Sequence, residues 1–195
     1  MRPVVAAAAL AVLTACTPTS PTPSPVTSSP SVSASPSATP SPTCSLGSAT
    51  PKPCTTKEFE QEQFTAEAMD VYRRWIKEAN RLYLAGGTLT PTDEMKATLS
   101  GIALDSAEII FADMKKTGVK AIQGEVKIVS ITPTTPEADG TATFDACSDG
   151  RTLVFQRKRK TISRGTFADE SFVAKHVDGS IKLVDVMSEA TECGA

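Results

Sequence analysis

The acid–base chemistry open to this chain rests on few side chains. His176 is the single histidine, and an imidazole is the group that exchanges protons most readily near neutral pH. Its place beside Asp178-Gly179, a two-residue hairpin signal, favours a solvated or structural ring at a strand end. Asp145 and Asp185 lie in alternating, strand-like runs, where a carboxylate facing a dry interior could serve as general acid or base. With a bulge expected near Cys147, strand parity leaves a surface position as the simpler account of both. Asp149 precedes Gly150, and turn chemistry explains an aspartate there. No residue is therefore assigned to catalysis, and Asp145 and His176 stand as weak candidates. Tyr72, Trp75 and Tyr83 share one side of a helical pattern. They are candidates to line a ligand pocket with aromatic surface and two hydroxyls, although such stripes are most often core. Arg157-Lys158-Arg159-Lys160, with Arg164 nearby, is the dense positive run. A solvated turn explains it, with contact to anionic lipid or wall polymer as the alternative.

The cysteines carry a second kind of chemistry. Leu13-Thr14-Ala15-Cys16 has the form of a bacterial lipobox, preceded by Arg2 as a short positive region and by an apolar run over 4–13. This order predicts a signal peptide over 1–15 and a Cys16 whose thiol takes a diacylglycerol and whose freed amine is acylated, for example with palmitate. The alternative is an ordinary secretory signal with an unmodified Cys16. The apolar run is too short to span a bilayer, which needs about 20 residues. The expected location is the outer, extracytoplasmic face of the cell membrane, with the lipid on Cys16 as the membrane contact. Five cysteines less Cys16 leave Cys44, Cys54, Cys147 and Cys193, an even set that permits three pairings. Sequence proximity pairs Cys44 with Cys54, which leaves Cys147 for Cys193. The longer bridge would stabilise the fold by roughly 4 kcal/mol before strain. Metal binding would call for histidines or close Cys-x-x-Cys spacing, which the sequence lacks; no metal or cofactor is expected.

Residues 17–43 are almost entirely Pro, Ser, Thr, Ala and Val, without charge. Such a segment buries too little surface to offset its ordering entropy. Residues 16–54 are predicted to be a disordered, semi-stiff tether reaching up to about 3.1 Å per residue, and 55–195 a globular domain with one core. The composition also suits O-glycosylation. Without the signal peptide the chain has 19 Lys and Arg against 22 Asp and Glu, a net charge of −3, which argues against a nucleic-acid partner.

Thr55 and Glu58 form a possible capping box at the start of a long helix. Met69, Tyr72, Ile76, Ala79 and Tyr83 recur along it at three- and four-residue steps, with Val71, Trp75 and Leu82 beside them, opposite Arg73, Arg74, Lys77, Glu78 and Arg81. Gly86-Gly87 should stop it. A second helix is expected with Thr90 as N-cap and Pro91 in first position. Ser100-Gly101 should interrupt it, and a continuation should end near Thr117-Gly118. Beyond Gly118 the period falls to two: Val126 and Ile128, Ala142 and Phe144, Leu153 and Phe155, Val173 and Val177, Ile181 and Leu183 mark short strands between turns at Asp139-Gly140, Asp149-Gly150 and Asp178-Gly179. The fold class is α+β, with N-terminal helices packed on a curved antiparallel sheet of four or five strands.

With the run YRRWIKEANRLYLAGG at 72–87, a second helix, Gly124 entering a strand, Cys147-Ser148-Asp149 and a C-terminal cysteine, the chain resembles small actinobacterial lipoproteins. Their domain belongs to the SnoaL and ketosteroid-isomerase-like superfamily, also called nuclear-transport-factor-two-like. The resemblance covers about 56–195. It implies a cone-shaped pocket between the long helix and the sheet, which in different members serves enzymology or bare scaffolding, so it bears on fold and leaves activity open.

Missing catalytic motifs and the long tether point to a non-catalytic binding or interaction module, with a small apolar ligand or an envelope protein as partner. The alternatives are an isomerase- or dehydratase-like enzyme on a small apolar substrate, and a structural envelope lipoprotein. A buried carboxylate or histidine in an open cone would favour the enzyme, whereas a cone plugged by side chains would favour a scaffold.

Overall fold

The computed structural model describes residues 41–46, 50–135 and 140–189, with Ser188 and Glu189 by backbone alone. The chain divides into Met1–Thr39 and Pro40–Ala195, and every described residue belongs to the second unit. The lipobox, Cys16, Asp139 and Cys193 lie outside the described residues. Among the described residues no helix is long and apolar enough to cross a membrane.

The architecture is α+β, with three helices followed by antiparallel strands. Helix α1 (Thr56–Ala85) starts at the expected capping box: Thr55 Oγ1 accepts from Glu58 N at 3.2 Å, and Thr55 N donates to Glu58 Oε2 at 2.7 Å. It ends at Gly86, whose φ of 75° is the left-handed cap expected there. Gly87 is required by close approach as well as by its positive φ, since a Cβ would lie 2.1 Å from the Phe111 carbonyl oxygen. Helix α2 (Asp93–Thr98) corrects one sequence expectation. Its N-cap is Thr92, not Thr90, because Thr92 Oγ1 accepts from Met95 N at 3.1 Å while donating to Glu78 Oε1 at 2.6 Å. Leu99 and Ser100 separate it from α3 (Gly101–Thr117), which ends on Gly118 as expected.

Before α1, the two-residue strands β1 (Thr43–Cys44) and β2 (Lys52–Pro53) pair, and the predicted Cys44–Cys54 disulfide closes the hairpin. Ser45 N and Leu46 N each donate to Glu62 Oε1 at 2.7 Å, tying the hairpin to α1. This hairpin falls within the stretch whose composition reads as tether.

After α3 come β3 (Val119–Gln123), β4 (Lys127–Thr134), β5 (Thr141–Asp149), β6 (Val154–Arg157), β7 (Lys160–Arg164), β8 (Phe167–Val177) and β9 (Ser180–Glu189). They form a three-stranded sheet ordered β3-β6-β7 and a four-stranded sheet ordered β4-β5-β8-β9, in place of one sheet of four or five strands. Strand β5 runs between two neighbours, and its Ala142, Phe144 and Ala146 are completely buried. These residues and Phe172 from β8 meet the apolar face of α1. Tyr72 packs on Phe144 and Phe172 with ring centroids 5.8 and 4.7 Å away. Asn80 on the same helix substitutes for a strand partner, donating to the Val126 carbonyl at 2.9 Å and accepting from Val126 N at 2.7 Å. It thereby fixes where β4 begins.

Candidate functional site

Each candidate acid or base from the sequence occupies a place set by strand parity. The register between β5 and β8 runs unbroken through Cys147; the irregularity expected there lies on β4, between Ile128 and Ser130. Side chains on β5 therefore keep strict alternation, and with Phe144 in the core Asp145 falls on the opposite face. There it accepts a 2.6 Å hydrogen bond from Ser171 Oγ. Asp185 pairs across from Val173, whose neighbours Phe172 and Ala174 are buried, and it accepts from Val186 N at 2.8 Å. His176 is exposed at the end of β8 and stacks on Phe64, centroids 4.8 Å apart. None of the three lines the aromatic recess between α1, α3 and the strands, or the open cleft beside the β1–β2 hairpin.

Asp149 is a turn lock. It accepts from Arg151 N at 2.9 Å and grips the Arg151 guanidinium at 2.9 and 2.8 Å, which holds its carboxyl down at about 2. The basic run Arg157-Lys158-Arg159-Lys160 is an exposed hairpin tip joining β6 to β7, with Arg157 paired to Lys160 and both central residues at positive φ. Cys147 is in a disulfide, and its expected partner, Cys193, lies outside the described residues. Among the described residues no cluster of three His, Cys, Asp or Glu side chains could hold a metal ion.

An open cleft of about 390 Å³ lies beside the β1–β2 hairpin; the aromatic recess is more enclosed, with a volume of about 280 Å³. The second half of α1 supplies Trp75 and Tyr83, α3 supplies Phe111, β6 supplies Phe155, and β8 supplies Glu170 and Phe172. The aromatic residues brace one another: Tyr83 lies 5.2 Å from Phe111 and 5.6 Å from Phe155, and Trp75 lies 6.1 Å from Phe111. Two of these pairs, Tyr83 with Phe155 and Trp75 with Phe111, meet near a right angle, at 80° and 77°. Tyr72, the third aromatic candidate, is fully buried beneath the recess wall and does not line it. Its hydroxyl makes no well-formed hydrogen bond, although Ser148 is near enough to ease its ionisation; burial outweighs this and pushes the phenol far up.

Glu170 is the residue that the sequence reading missed. It shares a β8 face with Phe172 and Ala174, which directs its carboxyl into the recess. Burial and, secondarily, the neighbouring Asp169 raise its pKa above the ordinary glutamate value. Its charge also adds to the burial that raises the pKa of Tyr83. Among the described residues no hydrogen bond or ion pair reaches this carboxyl. The signal was the two-residue step Ala168, Glu170, Phe172, Ala174, which places the acid in register with the core.

No protein-family model matches the chain, and no curated relative matches it. Among solved structures, the intermembrane-space region of the chloroplast protein ARC6 is similar at 12% identity and a TM-score of 0.47, covering 65% of this chain and 97% of that one. A de novo β-sheet design is similar at 14% identity and a TM-score of 0.30, covering 70% and 92%. Neither likeness bears on function.

Proposed function

We propose that the mature chain is a lipid-anchored, extracytoplasmic binding module, and that its domain holds a small apolar ligand in the recess beside Glu170. The observation that carries this reading is a recess walled by aromatic and aliphatic side chains that holds, among the described residues, one carboxyl and no partner for it. Apolar walls with a few placed polar groups are what small-ligand sites require. In this reading α1 and α3 cover the concave side of a curved sheet in the manner of SnoaL-like domains, and the lipid on Cys16 holds the domain at the outer membrane face.

The second reading is an isomerase- or dehydratase-like enzyme. The raised pKa of Glu170 in an apolar recess favours it, because such a carboxyl is suited to proton transfer. What favours binding without turnover is that Asp145, Asp185 and His176 all lie away from the recess, so Glu170 has no acid–base partner from that set.

The test incubates the full chain with envelope lipid and metabolite extracts and follows retained compounds and chemical change by mass spectrometry, in wild type and Glu170→Gln. Retention of an unaltered small molecule is the expected result. Turnover abolished by Glu170→Gln would put the enzyme first, and no retention at all would leave a structural lipoprotein. For the anchor, Cys16→Ala should release the protein from membranes; partition with membrane after a high-salt wash would refute it.

A further inference from the structure

Resting on the small-ligand reading above, we infer that the recess selects an organic cation: a compact apolar body bearing one ammonium group, seated among Trp75, Tyr83, Phe111 and Phe155 with its charge toward the Glu170 carboxylate.

The wall composition sets the sign of the ligand. Among the described residues no lysine, arginine or histidine lines the recess, and Glu170 is the one charged side chain there. Tyr83, the other ionisable group, is also an acid. An anionic ligand would therefore meet repulsion with nothing to offset it. A neutral hydrocarbon would fill the apolar walls but displace water from a half-buried carboxylate to which no described residue is bonded, a costly arrangement. An ammonium group resolves both problems at one place.

The rings add a second, independent preference. Trp75 against Phe111 and Tyr83 against Phe155 meet nearly perpendicularly, so that the four rings present walls in different directions. Aromatic faces are electron-rich and attract cations, and boxes of such faces are the usual receptors for quaternary ammonium groups. Tryptophan is the strongest ring for this purpose.

Trp75 is the only tryptophan, so its fluorescence reports on the recess. The experiment titrates the full chain carrying Cys16→Ala, which leaves no acyl group to compete, with benzyltrimethylammonium and with its uncharged isostere neopentylbenzene. The cation should bind about tenfold more tightly or better. Glu170→Gln should remove most of that preference while retaining the isostere, with far-UV circular dichroism confirming the fold. Tyr83→Leu should also shrink the preference. If neopentylbenzene binds wild type as tightly as the cation, or if Glu170→Gln leaves the preference intact, the cation assignment is wrong while the ligand recess stands. If neither compound saturates, both readings fall.

Discussion

Two glutamates, one buried and one half-buried, separate what holds this domain together from what lines its recess. Glu78, 6% exposed, is saturated: Arg81 donates from two nitrogens at 2.7 and 2.6 Å, and Thr92 donates its hydroxyl at 2.6 Å. These bonds hold its pKa below the ordinary value, with Arg81 the largest cause. Among the described residues Glu170 has no such partner, and its pKa shifts the other way. The first carboxylate joins α1 to the cap of α2. The second is a half-buried carboxyl in an apolar recess, the group that the proposed site would use.

The largest effect should come from breaking the saturated pair. Glu78→Gln should destabilise the domain by about 1–3 kcal/mol at pH 7, because it removes a charge-assisted network and loosens the Thr92 cap. Since the folded state lowers the Glu78 pKa, its stabilising contribution is present above the unfolded value and fades as pH falls through the folded one. Urea melts at pH 7 and pH 3.5 should therefore show a smaller penalty at the lower pH.

Glu170→Gln should act with the opposite sign and a smaller size. A raised folded pKa contributes stability below the unfolded value and loses it as pH rises through the folded value. The glutamine variant should accordingly melt higher than wild type at pH 7, and the gain should vanish in acid. A lower melting temperature at pH 7 would mean that Glu170 has a structural partner after all.

Smaller still is the effect of Asp145→Asn. With Asp145 on the face of β5 away from the recess, this change should cost about 1 kcal/mol or less through the Ser171 bond and leave ligand retention untouched. Loss of retention would show that the parity argument misplaces the site. Peptide mapping without reductant supplies a further check, with Cys147 expected in linkage to Cys193 and linkage to any other residue counting against that pairing.

What was legible in the sequence follows the range of the forces involved. Helix ends at Thr55, Gly86 and Gly118 are set by caps within a few residues, and all three were readable. The cap of α2 was misread because Thr90-Pro91 looks like a helix start, while Thr92 gains a contact with Glu78 from another helix. Val119–Gln123 and Lys160–Arg164 were missed as strands because most of their side chains are exposed, so no apolar alternation marks them. Glu170 was hidden in the polar run Asp169-Glu170-Ser171. Its direction emerges only by extending the parity of Phe172 and Ala174 backward, and its burial comes from helices and a second sheet distant in sequence. Asp145 shows the converse, since its alternation was visible but its face depended on an irregularity that lies on the neighbouring strand.

The central claim is that one carboxyl of this pair is held and the other is open. Residue-resolved carbon NMR of the glutamate carboxyls across an acid titration tests it directly. Glu78 should titrate below the ordinary glutamate value and Glu170 above it. Glu170 titrating at or below the ordinary value would contradict the account, because a partnered or solvated carboxylate would then occupy the recess.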